Sequence, residues 1–567
     1  MQTWISLWRD NAQRLAFAAA ALATLIALWL TSTLAPRALG YALADDALFI
    51  RLAQSMSEGR WLGAYDEYTL VKGAFYPLFI ATVHVIGMPL LIAQQAVALI
   101  VAGVTAVAMH HLGLPRAVTL ILFVVLALSP VAWHPDLVRV TREPLYASLG
   151  LAVFAFAALV LLKQNQTPLA RMIALAGFSV SFAAYWLTRE ESVWLYPSLA
   201  MLALVPAVST GFVWWRNGLP THRLRESIVP VTLQGAALVL PFAALAGGIA
   251  LLNQTHYGSF ITNEVREGAM PSAYGALLRI SEETHAPRVF FSADAAARAY
   301  EASAAARELQ PTLDGPRGDT WRRIGCESLA LSPCPSGFGG GWFMWVLREG
   351  ARDAGHMNDA AASQAFFEKL AAEINAACDA NKIPCGPQRD GMTPPLVPQH
   401  FATLPDSVVD AIALSLRFGF GDVGMAPSEG TPEQLQAFRA NVGSIAPTNA
   451  DSQVQTPNAM KIIAQGYALV VPFGFTVAML MFGLAILRRR TVPLNRALVV
   501  VAIAAFTAVV ARALLIATIH VTSWEAINVQ YMSPAAPFVL IFIVVGVYLG
   551  ARVPTSMTPL KNAAKAN

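Results

Sequence analysis

The sequence predicts an all-α polytopic membrane protein that carries a mainly helical, disulfide-containing soluble insertion on its exported side. Three observations predict it. Of 567 residues, 56% are hydrophobic and only 13% charged, and soluble chains of this length do not combine so little charge with repeated unbroken apolar runs of spanning length. The basic residues gather in short clusters between those runs, as membrane topology requires. All four cysteines fall in one stretch of ordinary soluble composition. The net charge of +4 is small and no basic patch exists, which argues against nucleic acid as a partner.

The apolar runs give about ten candidate transmembrane helices: Leu15–Leu34, Pro89–Met109, Ala117–Trp133, Pro144–Leu162, Met172–Leu187, Ser192–Ala207, Ile228–Leu252, Ile462–Leu487, Leu498–Ile519 and Ala535–Leu549. With that count, Arg9, Arg14, Arg116, Lys163, Arg171, Arg216, Arg223, Arg225, Arg488, Arg489, Arg490, Arg496, Arg552 and Lys561 all fall on one side. The positive-inside rule makes that side the cytoplasm. The expected location is the inner membrane of a bacterium, with both termini cytoplasmic, and Asp45, Asp46 and His256–Met460 on the exported, periplasmic face. Ala42-Leu43-Ala44 mimics a signal cleavage site, but it lies too far beyond an apolar run that is itself too long. Tyr76–Gly87 is apolar but short, and a crossing there would turn the arginine clusters outward, so it is expected to lie in the interface.

Three parts follow: an N-terminal transmembrane module (1–262), a soluble domain (263–460) and C-terminal transmembrane helices with a short tail (461–567). The insertion is long enough, at about two hundred residues, for one domain. Exported cysteines read as disulfides, and pairing Cys326 with Cys334 and Cys378 with Cys385 is the simplest of the three connectivities. Zinc is the rival, but no C-x-x-C occurs and no His lies between the paired positions. Phe366, Phe367, Leu370, Ile374 and Ala377 trace one face of a helix, which is core packing. Gly419, Gly421 and Gly424 spell G-x-G-x-x-G without a leading strand, and Gly337, Gly339, Gly340 and Gly341 lack a following Lys-Ser or Lys-Thr, so both read as loops rather than nucleotide sites. Asn253-Gln-Thr255 is a glycosylation sequon at the end of a span, expected to be coincidental.

Charge is placed more pointedly than helix burial demands. Asp45 and Asp46 stand side by side after the first span, at the start of an amphipathic segment, where the bland explanation is charge relief at a helix N-terminus. Lys72, Arg139, Arg142, Glu143, Arg189, Glu190 and Glu191 lie at the same membrane face. The bland explanation there is a set of interfacial ion pairs, Arg142 with Glu143 or Arg189 with Glu190.

These elements in this order resemble the C-type membrane glycosyltransferases that use polyprenyl-phosphate sugars, including the protein mannosyltransferase and aminoarabinose transferase relatives. The resemblance rests on the acidic pair after the first span, Lys72-Gly-Ala-Phe-Tyr76-Pro77-Leu, the basic-acidic pair Arg142-Glu143, Arg189-Glu190, Asn253 with Tyr257-Gly258, and Tyr531 with Pro534. It covers Leu15 to about Phe260 and Leu498–Leu549. The family often has Asp-Glu where this chain has Asp45-Asp46, and Lys-Pro-Pro where it has Lys72-Gly73-Ala74. The resemblance implies transfer of a sugar from a polyprenyl-phosphate donor to an envelope glycan, lipid or protein, with inversion. Asp45 and Asp46 would be catalytic, with Asp45 the base. Lys72, Tyr76, Arg139, Arg142, Glu143, Arg189, Glu190 and Tyr531 would bind substrate, and Lys72, Arg142 and Arg189 would be partners of the leaving phosphate. The sequence specifies no particular cofactor, and a metal-independent reaction is expected. A divalent cation at the dyad is conceivable, but oxygen-rich metal sites usually need more than two carboxylates. A transporter should show repeated spans and broken mid-membrane helices, neither of which is evident. A non-catalytic assembly scaffold would not need the dyad.

Overall fold

A computed structural model describes residues 2–163, 165–204, 221–281, 288–329, 331–334, 336–394, 396–417, 423–448, 456–490 and 494–552. In chain order the first helices are α1 (Gln2–Ser32), α2 (Asp46–Ser57), α3 (Phe75–Val85), α4 (Leu90–His111), α5 (Arg116–Ala127), α6 (Glu143–Leu162), α7 (Pro168–Trp186), α8 (Ser192–Leu204) and α9 (Thr221–Tyr257). The insertion contains α10 (Ala269–Leu277), α11 (Ala293–Ala302), α12 (Ala304–Leu313), α13 (Pro316–Ser328), α14 (Phe343–Asp353), α15 (Ala360–Asp379), α16 (Pro398–Leu416) and α17 (Pro432–Val442). The chain closes with α18 (Asn458–Leu487), α19 (Arg496–Thr522), the single turn α20 (Val529–Met532) and α21 (Ala536–Gly550).

The protein is a multi-pass helical membrane protein. Eight described helices are long and apolar enough to cross a bilayer: α1, α4, α5 with its following turn, α6, α7, α18, α19 and α20–α21. Two expected spans need comment. Ser192–Ala207 begins as the apolar α8, and its last residues lie outside the described ones. Ile228–Leu252 falls within α9, a helix of 37 residues. The short apolar run at Tyr76 forms α3, only 11 residues long. Between the spans, small residues allow close approach. Ala502, Ala504, Ala505 and Ala508 of α19 are fully buried, and Ser198 of α8 donates to the Ala504 carbonyl at 2.8 Å, a contact of the kind that replaces the hydrophobic effect between membrane helices.

The insertion divides in two. Residues between Met270 and Ile383 form their own apolar core, with Phe366, Phe367, Leu370, Ile374 and Ala377 of α15 inside it. Cys326 is joined to Cys334 and Cys378 to Cys385. The remainder leaves that core: α16 packs against α19, and α17 against α2 and α3. Gly337–Gly339 is not the loop expected from its composition but a strand, β2, paired antiparallel with β1 (Val289–Ser292). Glycine suits this pairing because a Cβ at Gly337 would sit 2.9 Å from the Phe291 carbonyl oxygen. Of the G-x-G-x-x-G, Gly419 and Gly421 lie outside the described residues. Asn253 is fully buried, accepting from Trp61 Nε1 at 2.9 Å and donating to the Ile261 carbonyl at 2.7 Å, a structural use of the sequon's asparagine.

Candidate active site

The chain leaving α1 is held on both sides before it reaches the dyad. Arg37 pairs in parallel with Arg139, and Leu39 with Glu429. Ala38 N–H donates to Ser428 Oγ at 3.0 Å. Gly40 lies so close to α17 that a Cβ there would come within 2.7 Å of Gln434 Oε1.

Asp45 and Asp46 then diverge. Asp45 occupies the N-terminal boundary of α2, but its side chain caps nothing. It accepts from Lys72 Nζ at 2.9 Å and keeps 58% of its side chain exposed. Helix capping therefore does not account for it. Surrounding protein disfavours its charge, but Lys72, Arg142 and Arg139 outweigh that cost and hold the carboxyl below its ordinary range. Asp46 is only 1% exposed, and both its oxygens are taken by Arg139, one through Nε at 3.0 Å and the other through Nη2. Burial pushes its carboxyl up to about 6 against the pull of Arg139, with Asp45 and Glu143 adding to the rise.

Lys72 owes its place to its neighbours. A Cβ on Gly73 would lie 1.9 Å from the Leu187 carbonyl oxygen, so only glycine lets this loop touch the end of α7. Beyond Lys72 stands the insertion, whose Trp345 on α14 presents its ring 5.5 Å from Nζ. The same helix sends Arg348, fully buried, to Glu264 at 2.7 Å and to the carbonyls of Glu67 and Thr69 at 2.6 and 3.2 Å. Tyr65 donates to the other Glu264 oxygen at 2.7 Å. Glu264 Oε2 receives no hydrogen bond, so the ion pair and the two carbonyl bonds of Arg348 together tie the soluble core to the loop bearing Lys72.

Deeper in, the expected ion pairs are crossed. Arg142 bonds Glu190 bidentately at 2.9 and 2.8 Å and the Thr188 carbonyl at 2.8 Å. Arg189 bonds Glu143, and its Nε lies 2.7 Å from Glu191. Each arginine thus reaches across between the start of α6 and the turn after α7 instead of pairing with its sequence neighbour. Burial opposes the charge of Glu190, but Arg142 overrides it and holds the carboxyl down at about 2. Gln530 donates to Glu143 at 3.2 Å, and Asn263 to Glu190 at 3.3 Å. Tyr531 faces Arg189, whose guanidinium carbon is 5.4 Å from its ring. Arg142 and Arg189 are 5% and 6% exposed. Arg142 spends both Nη groups on Glu190 and the Thr188 carbonyl, whereas Arg189 bonds Glu143 through Nη1 and keeps a buried Nε without a hydrogen-bond partner, and both frame the site. Lys72 and Arg139 are the cations nearer its mouth.

The structure thus brings together all the candidate site residues except Tyr76, which is fully buried behind the dyad, edge-on to Phe49 and accepting from Gln94 at 3.3 Å. The cysteines belong to the insertion. Sequence reasoning missed Trp345, Gln530 and Arg512. Arg512 is fully buried within α19, 3.5 Å from Glu191, and donates to the Tyr531 carbonyl at 2.8 and 2.6 Å. A charge inside an apolar span was a visible signal. Trp345 gave none.

Next to the charged cluster, between α1, α4, α5, α6 and α21, lies a mainly apolar cavity of ≈ 110 Å³ that is partly open. Pro144, Ser148, Gln94 and Ser533 line it close to Glu143, and Leu91, Leu126, Leu151 and Leu540 line it further on. Arg139 saturates Asp46 and Lys72 holds Asp45, and among the described residues no three His, Cys, Asp or Glu side chains are grouped to hold a metal.

No protein-family model matches the chain, and no curated protein matches it in sequence. Among solved structures it is similar to ArnT from Cupriavidus metallidurans in the apo state, at 14% identity and a TM-score of 0.32, covering 96% of this chain and 78% of that one. It is likewise similar to ArnT from Cupriavidus metallidurans bound to undecaprenyl phosphate, at 13% identity and a TM-score of 0.30, covering 95% and 78%.

Proposed function

We propose that the protein is a membrane glycosyltransferase that moves a sugar from a polyprenyl-phosphate donor to an envelope acceptor on the exported face. The contrast within the dyad carries this reading: Asp46 is buried and locked, whereas Asp45 is exposed, ionised and beside a lysine. A base must be able to reach its substrate, and Asp45 can. In the proposed step the acceptor hydroxyl oxygen bonds to the anomeric carbon while its proton passes to Asp45. The bond from that carbon to the phosphate oxygen breaks with its electron pair, releasing polyprenyl phosphate. Lys72 and Arg139 stabilise the leaving anion, a role in which charge placed beforehand acts most strongly. Arg142, Arg189, Glu143 and Glu190 keep the two cations and the dyad in register.

The apolar cavity suits an isoprenoid tail entering from the membrane, with its phosphate at the charged end. A single displacement inverts the anomeric carbon. The proposed step uses no metal: Arg139 takes both oxygens of Asp46, and Lys72 takes one of Asp45, leaving the other for the acceptor's proton. Lipid extracts from cells with and without the protein test the reading. A polyprenyl-phosphate sugar should accumulate when the protein is missing, and identical lipid profiles would refute it.

A further inference from the structure

A second cavity, of ≈ 460 Å³, lies between the soluble core and the membrane helices. Leu278–Ser281, Arg288–Phe290 and Gly386–Arg389 form its insertion side, and His400 of α16 and Thr522 at the end of α19 form its membrane side. Its walls are built rather than incidental. Ile280 bridges Cys385, Ser281 N–H donates to the Pro384 carbonyl at 2.9 Å, and Gly386 N–H donates to the Arg279 carbonyl at 2.8 Å. The Cys378–Cys385 disulfide closes the loop at that point.

Its described lining is cationic. Arg279, Arg288 and Arg389 all line it, and among the described residues no carboxylate does. Arg279 is committed to Asp379 at 2.6 Å and to Asn375 at 3.0 Å. Arg288 has only long contacts, 3.4 Å to Glu525 and 3.5 Å to His520. Arg389 has no acidic partner among the described residues; it donates to the Thr393 carbonyl, and its Nε is buried with no hydrogen-bond partner. Burial lowers the pKa of this guanidinium. His400 accepts from Val397 N–H at Nδ1, 3.3 Å, which places its proton on Nε2. Phe290, Leu278, Ile280 and Pro387 supply an apolar wall.

We propose that this cavity binds a phosphate-bearing group at the membrane surface, held by Arg389 and Arg288. Planar guanidinium groups match phosphate oxygens in pairs, and two of them supply the charge that a phosphate monoester carries. The source is either a lipid headgroup or a soluble sugar phosphate. The site stands on its own residues and does not depend on the transfer reaction. If that reaction holds, the cavity is a natural anchor for an anionic acceptor, since Thr522 follows Arg512 by about 15 Å along α19 at 1.5 Å per residue.

Purified full-length protein with its disulfides intact provides the test. Retention of dioleoyl phosphatidic acid over phosphatidylcholine is measured by native mass spectrometry, and glucose 6-phosphate against glucose by calorimetry. Preferential binding of the lipid identifies a headgroup site, and preferential binding of the sugar phosphate identifies a soluble ligand. In either case Arg389→Gln should weaken binding by about 10- to 100-fold, the range for a charge-assisted hydrogen bond, and Arg389→Lys should restore part of it. If Arg389→Gln lowers folded yield, Arg288→Gln replaces it with the same expectation. Binding of neither probe, or binding unchanged in Arg389→Gln and Arg288→Gln, overturns the proposal.

Discussion

Asp45→Asn separates chemistry from folding at this site. The substitution keeps the shape of the side chain and its ability to accept from Lys72, but removes basicity. The structural cost is small, because the side chain is 58% exposed and pairs of that kind contribute about 1 kcal/mol or less. The chemical cost is large. Losing a positioned base raises the barrier by about 2.7 to 5.5 kcal/mol, equal to about 10²- to 10⁴-fold in rate. Cells carrying only Asp45→Asn should therefore contain normal amounts of protein and accumulate the donor lipid as fully as cells lacking the protein. Immunoblotting of membranes and mass spectrometry of their lipids read the two quantities together. Normal protein with a normal lipid profile would refute the assignment of Asp45 as base. Loss of the protein would show that the Asp45–Lys72 pair holds the fold.

Three further outcomes follow from the geometry. In Gly73→Ala a methyl group must displace the Leu187 carbonyl, which shifts Lys72. Transfer should fall by at least about 10-fold, since misplacement by an ångström costs up to about 10²-fold, and a variant with normal transfer would show that Lys72 is not positioned in this way. Glu190→Gln leaves the buried Arg142 without its anion and should destabilise detergent-purified protein by about 3 to 5 kcal/mol; the double variant with Arg142→Met should recover most of the thermal stability and none of the transfer. Unchanged melting in the single variant would contradict the crossed pairing. For Asp46, the folded pKa of about 6 lies above the ordinary 3.8 of an aspartate, so the folded state binds the extra proton between them. The stability from this group is fully present below about pH 4 and lost as pH rises through 6, about 3 kcal/mol in all. Wild-type melting temperature should fall relative to Asp46→Asn over that window, and parallel curves would count against the burial of its charge.

The spans were legible because a bilayer demands long apolar runs, and the dyad because no helix needs two carboxylates at its edge. Which residue meets which was not. Arg142 and Arg189 have glutamates directly beside them in sequence, yet α6 and the turn after α7 approach each other so that the cross pairing fills the buried space better. Lys72-Gly73-Ala74 looked like a departure from a pattern, and its reason, contact with the Leu187 carbonyl, is a long-range one. Trp345 sits amid ordinary soluble sequence, and its role depends on how the insertion docks. Local pairing of the cysteines could be read from spacing alone because each closes a short loop, with separations of 8 and 7 residues.

The strap across the dyad loop sets a timetable for the molecule. Ala38 meets Ser428 across a separation of 390 residues. A ribosome adding about 5–20 residues per second needs about 20 to 80 s to make that interval. The first helix and its acidic pair therefore reach the membrane well before the segment that fixes them has been made. Until Ser428, Glu429 and α17 arrive, the carboxylates stand in an unfinished frame. A nascent chain cannot begin work early, and a chain truncated before the strap carries its dyad unfastened.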